Sequence, residues 1–278
     1  VSGAADHPSP GTVSVIIPTH NRADSCVRAI ESALAQTLPP LEVIVCDDRS
    51  SDDTEPTISA LAASDERIRY VRRTSGTRGP GATRNRALQE ARGEFVAFLD
   101  DDDEWFEEKL RLQTPEVARS RGLICSNAVR TSGGTYFAAS DGHVIPRREM
   151  FEHNPIILST VIIPKSVITN AGGFSELSRL RGIEDYELWL RLSDHGIKMN
   201  RLGEPLALYC DSGPGRLSAP EVSLALASSR MFAIRALRQP TDALQTRAAL
   251  SSLLVALKLS LAGLRSGRSR RATSENRP

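Results

Sequence analysis

Four consecutive carboxylates, Asp100-Asp101-Asp102-Asp103, close an apolar run that begins at Phe95. Like charges crowded this closely repel one another unless water or a cation relieves them. Carboxylate oxygens are hard donors suited to Mg²⁺ or Mn²⁺, and an ion with few protein ligands fills its shell from water and phosphate oxygens. The plainer alternative is an acidic helix start, since Glu104 to Leu112 has a helical pattern. A second acidic pair, Asp47-Asp48, ends the run Leu41 to Cys46. Carboxylates so placed can accept from a base N–H or from ribose hydroxyls, and they serve equally as turn or N-cap aspartates. Seven arginines fall between Arg67 and Arg86. Guanidinium forks match phosphate oxygens. Arg78, Arg84 and Arg86 lie around Gly76, Gly79 and Gly81, where backbone can approach a phosphate. Arg67, Arg69, Arg72 and Arg73 read more simply as a solvated basic face. Glu184-Asp185 heads a helical stretch containing Leu188-Trp189-Leu190. One of the pair could take a proton from a hydroxyl, or both could simply favour the helix dipole.

The elements that must position these groups follow from hydrophobic periodicity. Val13 to Ile17 reads as a buried strand stopped by Pro18. Ala23 to Gln36 places Val27, Ile30 and Leu34 on one helical face. Leu41 to Cys46 is a second strand. Ser50 to Thr54 turns into a helix whose start carries Asp52 and Asp53. Arg69-Tyr70-Val71, a helix from about Ala82 to Ala91, and Phe95 to Leu99 continue the alternation. Such a pattern predicts an α/β fold with parallel strands and right-handed crossovers. Ligands then collect at the carboxyl ends of the strands, where both acidic clusters fall. Residues 120–180 mix short strand candidates with loops, and Gly182 to Asp194 is helical. After Pro220 the pattern is helical to about Leu264, with Leu250, Leu253, Leu254, Leu257, Leu261 and Leu264 as one stripe. Residues 1–11 and 265–278 have the composition of disordered tails.

Composition narrows the classes. A formal net charge of +1 argues against a dedicated nucleic-acid binder. Cys26, Cys46, Cys125 and Cys210 form no C-x-x-C pair and no zinc-ligand spacing, which fits reduced thiols and the cytosol. Neither a secretory signal nor an uninterrupted apolar span of membrane length is visible. No G-x-S-x-G follows a strand, so a serine hydrolase is not signalled.

Six stretches, in order, resemble glycosyltransferase family 2, the inverting family with the GT-A fold. They are Val13-Ser-Val-Ile-Ile-Pro-Thr-His-Asn-Arg22, Glu42-Val-Ile-Val-Cys-Asp-Asp-Arg-Ser-Ser-Asp-Asp-Thr54, Gly81-Ala-Thr-Arg-Asn-Arg-Ala-Leu88, Gly93 to Trp105, Gly172-Gly173-Phe174, and Gly182-Ile-Glu-Asp-Tyr-Glu-Leu-Trp-Leu-Arg191. The resemblance implies a Rossmann-like, mostly parallel sheet flanked by helices, with a C-terminal helical extension. Residues 12–218 would form the GT-A domain, with 12–105 on the nucleotide-sugar side and 106–218 on the acceptor side. Residues 219–264 would be the extension. It further implies that Pro18, Thr19, His20 and Asn21 line the nucleobase pocket, with His20 in place of the usual tyrosine. Asp48 would contact the base and Asp47 support it, Arg84 would join the nucleotide-sugar site, and Asp100, Asp101 and Asp102 would form the D-x-D-type site. Asp102 becomes the metal ligand for Mn²⁺ or Mg²⁺, Asp101 lies near the ribose, and Asp185 is the general base with Glu184 beside it. Arg78, Trp189 and Arg216 are secondary candidates. One departure is plain: Tyr209 to Ser218 lacks the histidine that many members carry, and Arg216 could reach the diphosphate instead.

The implied reaction moves a sugar, with UDP-sugar as the default donor, to a hydroxyl of a glycan, glycolipid or secondary metabolite. Two rivals are a sugar-phosphate nucleotidyltransferase and a non-catalytic nucleotide-sugar-binding subunit. The first normally needs a glycine-rich loop where this chain has Pro18-Thr-His-Asn21, and the second would lack the base that Asp185 supplies. The leucine stripe reads as a face packed on the catalytic domain or on a second subunit, as in a homodimer. With Lys258, Arg265, Arg268, Arg270 and Arg271 close by, it also reads as a peripheral contact with an anionic membrane at its inner face.

Overall fold

The first half alternates as its periodicity requires: β1 (Val13–Thr19), α1 (Ala23–Leu34), β2 (Glu42–Asp47), α2 (Thr54–Ser64), β3 (Ile68–Arg72), α3 (Pro80–Glu90) and β4 (Phe95–Phe98). The structure is a computed structural model that describes residues 11–138 and 142–211, with 228, 229, 231–233, 235, 243, 244 and 246–253 beyond them. Every residue of β1, β2 and β4 is buried, as strands covered on both faces must be. They pair in parallel in the order β3-β2-β1-β4. Successive residues of β1 point to opposite faces: Ile16 joins one hydrophobic cluster, Val15 and Ile17 the other.

Pro18 lies inside β1 rather than ending it. The register explains this: β4 pairs with β1 only up to Ile16↔Phe98, whereas β2 pairs on to Thr19↔Asp47. Pro18 therefore sits past the end of one neighbour, where a missing N–H costs no ladder bond.

Beyond β4 the sheet turns mixed. It continues through β8 (Ile162–Pro164), β6 (Leu123–Arg130), β9 (Met199–Tyr209) and β5 (Glu104–Trp105), with the short β7 (His143–Val144) beside β9 and helix α5 (Lys165–Asn170) after β8. β8 runs antiparallel to both β4 and β6, and β9 is parallel to β6. The helix expected from Glu104 does not form there. Glu104-Trp105 pairs with β9, the Trp105 amide donates to Ser32 Oγ at 3.0 Å, and its indole Nε1–H donates to the Ser159 carbonyl at 2.6 Å. Helix α4 starts only at Lys109 and ends at Ser120. The acidic run is therefore not a helix N-terminus.

Lys109 is fully buried at the start of α4, with Nζ 4.3 Å from the Trp105 ring centre and 2.5 Å from Gln113 Oε1. Burial pulls its pKa from 10.5 down to about 7. Between those values the unfolded chain holds a proton that the folded chain lacks, so stability rises with pH across the window. Unfolding curves between pH 7 and 9 should show that rise, at most about 1.4 kcal/mol per pH unit. The corresponding slope in Lys109→Met should be smaller, and equal slopes would mean the ammonium is not desolvated.

Of the C-terminal region, Met231, Phe232 and Ala248 are buried against the core. The Phe232 ring lies 5.8 Å from Phe151 and 5.9 Å from Tyr186. Of the leucine stripe, the two described members, Leu250 and Leu253, do not supply this contact, being 60% and 47% exposed. Leu254, Leu257, Leu261 and Leu264, the basic residues after them, residues 1–10, the boundary at 218 and Arg216 lie outside the described residues. No helix among the described residues is long and apolar enough to cross a membrane.

Candidate active site

The carboxyl ends of β1, β2 and β4 open into one cleft of about 1060 Å³. Its walls include Pro18, Thr19, His20, Asn21, Asp48, Arg78, Arg84, Asp100, Asp101, Asp102, Glu184 and Asp185. Residues expected to act together from their sequence context thus do converge, including groups a hundred positions apart.

The donor-side floor is built by short polar turns. Asn21 adopts a left-handed φ of +55°, a conformation asparagine tolerates. Its Oδ1 accepts from the Ser51 amide at 2.7 Å, and its amide donates to Ser50 Oγ at 2.8 Å. This ties the loop after β1 to the loop after β2. Asp47 does not reach the cleft. It is fully buried and accepts from the Ser50 amide at 2.9 Å, Ser50 Oγ at 2.5 Å and Tyr70 Oη at 2.7 Å. Its role is to set the turn that presents Asp48. Asp48 accepts from Arg73 Nη1 and from the Gly79 amide, both at 2.8 Å. Arg73, expected on a solvated face, is buried because Asp48 needs a counter-charge. Arg69 likewise pairs with the buried Glu42 at 2.8 Å. Gly79 has φ +134°, and a Cβ there would sit 3.1 Å from Arg181 Nε, so only glycine fits.

The acidic run divides by direction. Asp103 is buried and turned into the protein, accepting from Ser159 Oγ at 2.5 Å and the Cys210 amide at 2.7 Å. The Asp100 amide donates to the same Ser159 Oγ at 3.1 Å. Asp101 and Asp102 face the cleft and share one guanidinium group: Arg22 Nη1 lies 2.9 Å from Asp101 Oδ1 and 2.5 Å from Asp102 Oδ2. Burial first of all lifts the Asp101 carboxyl to about 6, and burial together with the Asp100 charge raises Asp102. The cluster carries more negative charge than its own cations neutralise.

These residues fit a hard divalent ion. Two carboxylates already converge on a cationic group, and oxygen donors match Mg²⁺ or Mn²⁺. No group of three or more His, Cys, Asp or Glu side chains arranged for a metal occurs among the described residues. The protein's share would thus be one or two oxygens, the rest coming from water and a diphosphate.

Arg84, expected to meet phosphate, is committed elsewhere. It is buried, with Nη2 2.6 Å from Asp100 and Nη1 2.9 Å from Glu184. It bridges the acidic run and helix α6 (Glu184–Asp194), since the buried Glu184 and the partly buried Asp100 facing one another need a shared cation. Glu184 Oε2 also accepts from the Gly182 amide at 2.6 Å, so both its oxygens are engaged. Asp185 is different. It is half-buried in the cleft wall, and Asn154 Nδ2 donates to its Oδ2 at 3.2 Å. Burial and then the Glu184 charge hold its carboxyl above the ordinary range. Trp189 is not a site residue: it is fully buried beneath α6, 6.3 Å from the Phe174 ring.

Arg22, Asn154 and Ser159 make contacts in the cleft that sequence reasoning did not assign. Arg22 had a usable signal, since it directly follows the loop at the end of β1, next to the strand that delivers the aspartates. Asn154 and Ser159 come from an irregular segment that offers no periodic signal.

A parallel α/β half whose acidic clusters share one cleft with the Glu184-Asp185 pair is the architecture of a GT-A glycosyltransferase. The chain belongs to glycosyl transferase family 2, whose model matches residues 14–175. It is 32% identical to the Escherichia coli UDP-Glc:α-D-GlcNAc-diphosphoundecaprenol β-1,3-glucosyltransferase WfaP, over 67% of this chain and 72% of the relative. It is 30% identical to a second E. coli enzyme of the same description, WfgD, over 76% of this chain and 79% of the relative. Among solved structures, residues 1–349 of S. aureus TarS with UDP-GlcNAc match with TM-score 0.66 and 20% identity, over 80% of this chain and 66% of that one. The mannosyltransferase PcManGT of Pyrobaculum calidifontis, in complex with GDP-Man and Mn²⁺, matches with TM-score 0.62 and 20% identity, over 95% and 82%. The two structures share the fold, and the family membership sets aside the nucleotidyltransferase and the non-catalytic reading.

Proposed function

We propose that this glycosyltransferase moves a sugar from UDP, glucose being the first candidate, to a hydroxyl of a lipid-diphosphate-linked sugar, with inversion. The observation that carries the reading is the placement of Asp185 and the Asp100 to Asp102 run in one cleft, with Arg84 bridging Asp100 and Glu184, the neighbour of Asp185. The E. coli relatives that use UDP-Glc and a diphosphoundecaprenol-linked acceptor support the choice of substrates.

In this reading the base lies over the loop after β1, with Thr19, His20 and Asp48 around it. Asp102, seconded by Asp101, would hold Mn²⁺ or Mg²⁺, which would neutralise the departing diphosphate. The acceptor oxygen attacks the anomeric carbon while Asp185 takes its proton, and the bond from that carbon to the diphosphate oxygen breaks in line. An acceptor on a lipid places the enzyme peripherally at the inner membrane face. The test is direct. Purified protein with Mn²⁺, UDP-glucose and a GlcNAc-diphosphate lipid should yield a disaccharide lipid with an inverted, β linkage. Transfer only from another nucleotide's sugar, or retention of configuration, would overturn it.

A further inference from the structure

The cations of the cleft fall into two groups. Arg22 and Arg84 are neutralised by the carboxylates they touch. Arg78 and Arg181 also line the cleft, both are exposed, and no carboxylate pairs with either among the described residues. They are held together: Arg181 Nη2 donates to the Arg78 carbonyl at 2.5 Å, and the Arg181 guanidinium lies over Gly79. Arg181 sits at the end of the turn Ser178–Leu180, four positions before Asp185 in the sequence. Beside the two arginines a shallow hollow is lined by Ser175 and by Leu177, which is 47% exposed.

Two arginines that line the same rim, with no carboxylate partner among the described residues, suit a group bearing two phosphates. The cleft floor would repel such a group, because it carries Asp48, Asp100, Asp101, Asp102, Glu184 and Asp185. We propose that Arg78 and Arg181 form a rim site for the diphosphate of the acceptor, with the first carbons of its lipid on Leu177. The inference rests on the lipid-diphosphate acceptor argued above. The donor's diphosphate has its own partner at the acidic run. Arg181 lies on the loop just before Asp185 and Arg78 on the loop before α3, so the pair holds the acceptor while Asp185 reaches the acceptor hydroxyl.

The probe is farnesyl diphosphate, titrated by calorimetry into protein saturated with UDP and Mn²⁺, with farnesol as control. Wild type should bind the diphosphate and bind farnesol far more weakly. Arg181→Gln and Arg78→Gln should each weaken the probe roughly ten- to a hundredfold, the worth of a charge-assisted hydrogen bond. UDP affinity, measured separately, should stay within about twofold, since base and ribose contacts lie elsewhere. Arg181→Lys should recover part of the loss. Equal probe affinity in wild type and both variants, or no binding to wild type, overturns the site. A parallel loss of UDP affinity assigns the arginines to the donor and overturns it too. Failure of wild type to glycosylate a GlcNAc-diphosphate lipid speaks against the proposed acceptor alone, and the probe titration is read independently of it.

Discussion

Asp185→Asn should transfer sugar about 10²–10⁴-fold more slowly than wild type while binding UDP equally well. The substitution keeps shape and volume and removes the ability to accept a proton. Asn154 donates to Asp185 Oδ2 at 3.2 Å, and the amide oxygen of the variant can accept the same bond, so the loop should hold. Glu184 offers no bypass, because Arg84 and the Gly182 amide engage both its oxygens. The raised pKa of Asp185 adds a pH signature. A base works only when deprotonated, so kcat/KM of wild type should rise with pH through a limb above the usual carboxylate range. Calorimetry with UDP and single-turnover transfer with a natural acceptor separate binding from chemistry. A loss below tenfold would remove Asp185 from the role.

The parallel half of the sheet was legible in the sequence because each strand is a short apolar run ending at a polar group, and its alternation with helices predicts parallel pairing. The acidic run was legible as a ligand site for the same reason. What each aspartate does within it was not. Four identical residues in a row give no periodicity to separate them, and Asp103 turns inward only because Ser159 and the Cys210 amide, far along the chain, meet it there. The arginines mislead in a similar way. Arg73 and Arg84 read as surface or phosphate residues, yet each is buried by carboxylates that only the fold brings close. A local pattern carries burial by apolar neighbours. It does not carry burial by an ion pair, whose partner stands 25 residues away for Arg73 and 100 away for Arg84 and Glu184. Trp189 shows the converse: it lies inside a recognised motif but serves the core.

Asp102→Ala should abolish metal-dependent donor binding and lower transfer by several orders of magnitude, with little change in thermal stability. The structural bonds of the acidic run belong to Asp103 and to the Asp100 amide, not to Asp102. Arg22 also keeps Asp101 as partner at 2.9 Å when Asp102 is removed. Burial and the neighbouring Asp100 raise the Asp102 carboxyl, so its charge is held against a native-state cost that the alanine relieves. Loss of the Arg22 contact works the other way, and the two should nearly cancel in the melting temperature. Function does not share that cancellation. Losing an ion that stabilises a departing diphosphate removes several kcal/mol from the transition state, roughly 10²–10⁴-fold in rate. Mn²⁺ should tighten UDP-sugar binding to wild type and leave the variant unmoved, and excess chelator should bring wild type down to the variant's rate. Were wild type to keep its full rate in chelator, the Arg22 guanidinium already between Asp101 and Asp102 would be the working cation, and Arg22→Ala would then be the variant that fails.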